Sequence, residues 1–237
     1  MIQEDLLGSG LTEMPPVPFP EPAASFDWGS VTVNRILAAV AVLLILLNMK
    51  DFFALVQPIL YSFSHSRGNT ALEHSVSQSR LRNVSAALLA LPFCLLADRF
   101  GLYRPDFIMA LNPAWRVPVL LAVLAAFLLV RYLMFRLLCP SRLRQDERST
   151  LLRTLYTYFI ALAVLMLATV GILLVCRAGD AVVRTVLLWE MAAAYLFYLL
   201  RTTQFLAWNC NGFATFLYLC SLEILPAAML VASALLL

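Results

Sequence analysis

The sequence predicts an all-α fold, a polytopic transmembrane helix bundle of about six spans. Three observations lead there. Of 237 residues, 62% are hydrophobic and only 13% are charged, whereas soluble domains run about 45–50% apolar and about 25% charged. The apolar residues gather into runs close to the ~20 residues that a spanning helix needs. The breaks between the runs carry the charges, and those charges are mostly arginine.

Residues 1–30 stand apart from the rest. They hold Glu4, Asp5, Glu13, Glu21 and Asp27 and no basic residue. Pro15, Pro16, Pro18, Pro20 and Pro22 nearly alternate. Proline lacks the amide donor and clashes with the preceding turn, so this stretch cannot be helical. The reading is an acidic, Pro-rich flexible tail, with a PxxP-like docking ligand as the alternative. A basic start followed by an apolar core is missing, so the tail does not read as a signal peptide.

Residues 31–237 form the transmembrane domain. Span one covers about 31–49, with the core ILAAVAVLLILL, and Lys50 and Asp51 close it. FFALVQPILYSF follows at 52–63, too short to cross a bilayer and interrupted by Pro58. It reads as an interfacial or re-entrant segment. Residues 64–83 are polar and serine-rich and read as a true loop. Span two is about 84–100, short and holding Pro92, with Asp98 and Arg99 at its end. A membrane-edge strip at 101–115 offers Tyr103 and Trp115 as interface anchors.

Span three is about 115–138, and an arginine-rich loop at 139–153 leads to span four at about 154–176. RAGD makes a tight turn into span five, about 181–200. RTTQFLAWNCNG reads as a short linker, and span six is about 213–234. With the N-terminus outside, the inner loops carry ten Lys and Arg residues against six on the outer side. The positive-inside rule therefore favours an N-terminus on the outer side.

Composition also excludes function classes. The net charge of +3 is too small for a nucleic-acid surface. The five cysteines contain no C-x-x-C pair, and His65 and His74 both fall in the polar loop. Neither a zinc cluster nor a bis-histidine haem site within the membrane is expected, and no cofactor is implied. H-E-x-x-H, G-x-S-x-G and P-loop patterns do not occur, so the chain does not read as an enzyme.

The informative residues are charges at depth. Glu223 is the eleventh residue of span six and Glu190 the tenth of span five. At 1.5 Å per residue both fall near the bilayer midplane. A charge at a helix centre costs roughly 2.5–3.5 kcal/mol on the insertion scale. Neutralising a carboxylate of ordinary pKa at pH 7 costs about as much, roughly 3.7 kcal/mol. A partner must decide between them: the two acids share a proton, a cation binds, or an arginine reaches them. Arg131, inside span three in FLLVRYLMFRLL, is either that arginine or a residue snorkelling to the interface.

Pro226 adds a second feature, because it cannot donate to the carbonyl of Leu222. A freed backbone oxygen beside an acid can hold a proton or a cation. The plainer reading is a kinked helix in which Glu223 hydrogen-bonds a neighbouring helix. Tyr156, Tyr158, Tyr195, Tyr198 and Tyr218 either line a polar path or pack.

The stretch LYLCSLEILP, residues 217–226, resembles the C-terminal signature of an uncharacterised family of multi-pass membrane proteins from Bacteroidota. NMKDFFALVQPILYSFSHS is similar to that family's segment after the first helix. The resemblance covers about residues 31–237, and Tyr218, Cys220, Glu223 and Pro226 carry its pattern. It implies an inner-membrane location in a Gram-negative cell and implies no activity. The expectation is a non-enzymatic subunit or scaffold of an envelope assembly, in contact with lipid and with a membrane-protein partner or its own copies. The alternatives are a proton- or cation-coupled carrier using Glu223 and Glu190, and an intramembrane enzyme acting on lipids.

Overall fold

The computed structural model describes residues 28–64, 76–138, 145–209 and 212–236. The acidic tail, His65, His74, Cys139 and Cys210 lie outside the described residues. The described chain is helical, with no strand among the described residues. After a 3-10 turn at Trp28–Ser30, the helices are α1 (Thr32–Leu47), α2 (Met49–Ser64), α3 (Val76–Arg99) and the short α4 (Asp106–Met109). They continue with α5 (Pro113–Leu138), α6 (Gln145–Val175), α7 (Asp180–Asn209) and α8 (Gly212–Tyr218). A π-helical turn, Leu219–Ile224, joins α8 to α9 (Leu225–Leu236).

Five helical stretches among the described residues are long and apolar enough to cross a membrane, or six if α1 and α2 form one bent span. The chain is thus a polytopic transmembrane helix bundle. The segment after span one is helical and meets α1 at 60°. Asn48 makes that break. Its side-chain amide donates to the Leu44 carbonyl at 2.9 Å, and its own carbonyl accepts from Asp51 and Phe52 at 3.0 Å. Its backbone, at φ −101° and ψ 13°, leaves the helical region.

Helix α3 is the hub. It packs against α1, α2, α5 and α6, and 44% of its most apolar stretch is buried inside the protein, against 17% for α5 and α7. That position explains its composition. Ser79, Arg82 and Ser85 are buried, facing other helices rather than lipid, where polar groups find partners. Leu89 and Ala86 of α3 pack with Leu55 of α2 and Ile160 and Ala163 of α6. Cys94, Leu95 and Ala97 pack with Ala41 of α1 and Val117 and Leu120 of α5.

Three expected boundaries are corrected. The loop expected over 64–83 ends at Val76, where α3 begins, so span two is a full-length crossing at Gln78–Arg99 rather than a short one. The arginine-rich loop expected over 139–153 is helical from Gln145. The linker expected at 201–212 is mostly the last two turns of α7. Three of its polar residues bond within the helix: Thr203 donates to the Leu199 carbonyl at 2.7 Å, and Arg201 reaches Gln204 at 3.3 Å.

Helices α3 and α6 end alike. Leu102 donates to the Ala97 carbonyl and Gly101 to Asp98; Ala178 donates to Leu173 and Arg177 to Leu174. This is the Schellman closure, which needs a left-handed residue after the helix. Gly101 takes φ 60° there and Arg177 takes φ 53°. The turn between α6 and α7 is therefore tight, and the two helices pack along each other, with Met166, Val170, Val183 and Leu187 between them.

Candidate functional site

The deepest polar constellation joins three elements. Arg131 lies on the buried face of α5, one turn before Phe135. The π turn packs against that same part of α5 and against α7. It brings Glu223 to Arg131, and both residues are only 4% exposed. The guanidinium grips the carboxylate with both arms: Nη2 donates to Oε1 at 2.8 Å and Nε to Oε2 at 3.3 Å. This two-point geometry is the strong form of an ion pair. Nη2 also donates to the hydroxyl of Tyr198 on α7 at 2.7 Å.

Tyr195, one turn before Tyr198, completes the arrangement by donating to the backbone carbonyl of Glu223 at 2.9 Å. The sequence at 226 explains why the backbone bends here. Proline has no N–H to return to Leu222, so α-helical register cannot run through this turn. The register widens instead: the Leu225 N–H bonds the Cys220 carbonyl, five residues back. The hydrophobic shell is built from Phe135, Leu206, Tyr218 and Leu222. Tyr218 meets the Phe135 ring edge-on at 6.2 Å, and Tyr158 meets Tyr198 at 5.6 Å. Pro226 is buried and Cys220 is half-buried beside this shell.

Glu190 lies elsewhere. It is half-buried and accepts a hydrogen bond from Thr169 of α6. Its other oxygen, Oε2, is buried without a hydrogen-bond partner among the described residues. The expectation of matched depth for Glu190 and Glu223 is corrected by the length of α7. Because that helix continues to Asn209, the residues level with Glu223 are Tyr195 and Tyr198. Glu190 precedes Tyr198 by eight residues, about 12 Å along the axis.

Of the expected site residues, Arg131, Glu223 and Pro226 come together, and Glu190 does not join them. Tyr198 and Tyr195 were legible only as aromatics with two readings. Their spacing in YLFY, three residues apart, was the signal that both hydroxyls share a helix face. Thr169 carried no signal in the sequence. No group of three or more His, Cys, Asp or Glu side chains converges among the described residues.

Fold and site together define a multi-pass helical membrane protein organised around a buried, bidentate arginine–glutamate pair. The chain matches no family model, no curated protein and no solved structure.

Proposed function

We propose that the protein is a non-enzymatic subunit or scaffold of a cell-envelope membrane assembly. One observation carries this reading: both oxygens of Glu223 are engaged by Arg131 inside the bundle. A transport acid must exchange its proton or cation with water. A carboxylate held at two points by a guanidinium, with a tyrosine hydroxyl on the same nitrogen, suits a lock between helices. It fixes α5, α7 and the terminal helix in one register, which is the best-attested use of a buried ionic group. The resemblance of residues 217–226 supports placing the protein in a bacterial cytoplasmic membrane, and the arginine distribution supports a periplasmic N-terminus.

The test is purification from native membranes in mild detergent, with mass spectrometry of what co-purifies. A stoichiometric partner is the expected result, and its retention should survive Glu190→Gln. A lone chain or a homo-oligomer sinks the heteromeric-subunit reading. It would favour the second reading, a proton- or cation-coupled carrier. Two observations speak for that reading: the unpartnered Oε2 of Glu190 and the π turn that carries Glu223, since π turns recur at functional sites. Proton flux into vesicles, lost in both Glu223→Gln and Glu190→Gln, would establish it.

A further inference from the structure

The other end of α5 faces a different environment. Three spans terminate together there: α3 ends at Arg99, α5 begins at Pro113 and α7 begins at Asp180. Between them lies a cleft of about 440 Å³. Its wall carries Arg99, Arg104, Arg116 and Arg184 against Asp98 and Asp180, an excess of two positive charges. The acids are already engaged. Asp98 accepts the indole N–H of Trp28 at 2.6 Å, and Asp180 sits 3.6 Å from Arg99.

Two of the arginines are set in place by backbone. Arg116 donates to the Met109 carbonyl at 3.0 Å. Arg104 folds over Gly101, where a Cβ would lie 1.7 Å from its Nε. Arg184 is exposed and makes no hydrogen bond or ion pair among the described residues. Because the spans end here, the cleft lies at the level of lipid headgroups. Phe100 and Ile108 give it buried apolar walls, against which the charges are screened less than in open water.

We propose that this cleft binds a phosphate group. Planar guanidinium forks match phosphate oxygens two at a time, and the four arginines of this cleft carry more positive charge than Asp98 and Asp180 together offset. The phosphate can come from an anionic lipid headgroup or from a soluble phosphate compound, and the experiment separates the two. Full-length protein is placed in nanodiscs of phosphatidylcholine, with or without phosphatidylglycerol, and retained lipid is read by native mass spectrometry. In parallel, phosphatidylcholine discs are titrated with inorganic pyrophosphate and the unfolding midpoint is followed.

Retention of phosphatidylglycerol identifies a lipid site; a midpoint raised by pyrophosphate identifies a soluble ligand. In either case Arg104→Gln combined with Arg184→Gln should weaken binding about tenfold or more. Both side chains are exposed, so folding should be unaffected. Arg136→Gln, at the far end of α5, should change nothing. The proposal is overturned if neither probe binds, if the double variant binds like the parent, or if Arg136→Gln weakens binding equally.

Discussion

Glu223 gives both carboxylate oxygens to Arg131, while Glu190 receives one hydroxyl from Thr169 and leaves its second oxygen without a hydrogen bond among the described residues. Both acids sit in spans, and their helices pack against each other. The contrast shows that depth alone does not set how an acid is treated. What sets it is which neighbour the helix face meets. The π turn faces α5, which offers an arginine; the middle of α7 faces α6, which offers only a threonine. A guanidinium can satisfy a carboxylate in full, and a hydroxyl can satisfy a single lone pair. The first arrangement is therefore a fixed joint and the second is a partly satisfied one.

Breaking the joint should produce the largest effect. Arg131→Met leaves Glu223 buried without its counter-charge and should cost about 3–5 kcal/mol, read from denaturant unfolding in micelles. Adding Glu223→Leu to that variant should restore most of the loss, because two apolar groups replace the pair. A double variant no better than the single one would show that the ion pair is not the coupling element. Glu223→Gln keeps an acceptor for one arm of the guanidinium and should cost about 2 kcal/mol.

The Glu190 region should respond more weakly. Thr169→Val removes the one donor to Glu190 among the described residues and should cost about 1–2 kcal/mol in the same unfolding assay. Glu190→Gln retains an acceptor for Thr169 and should shift stability by less than about 1 kcal/mol. If Glu190→Gln proves as damaging as Arg131→Met, the contrast between the two acids collapses.

Much of this was legible in the sequence. Long apolar runs announce spans, and Lys50 and Asp51 announce the break between α1 and α2. Glu223, Arg131 and Pro226 stood out because each is costly in a bilayer unless something answers it. The pairing was one of three open answers, since the choice depends on helix rotation and depth. The depth expected from the sequence differs at α7 for a definite reason. Arg201, Thr202, Thr203 and Gln204 look like a polar linker, yet Thr203 and Arg201 bond within the helix and Thr202 is buried. Extending the helix moves its centre away from Glu190 towards the tyrosines. The start of α3 is hidden likewise, because Ser79 and Arg82 read as loop residues when their burial against other helices is unknown.

The wide turn at Leu219–Ile224 has a consequence for how this segment tolerates change in length. A π turn holds more chain than an α-helical turn of the same height, so it behaves as an inserted residue kept inside a continuous helix. The wide turn thus leaves Tyr218 and α9 on the faces that a continuous α-helix one residue shorter would give them. A second residue inserted beside Ser221 has no such outlet, because each residue of an α-helix turns about 100° around the axis. It would swing Glu223 relative to Tyr218, off the side that meets α5. The segment should therefore accept many substitutions on its lipid side and no added residue.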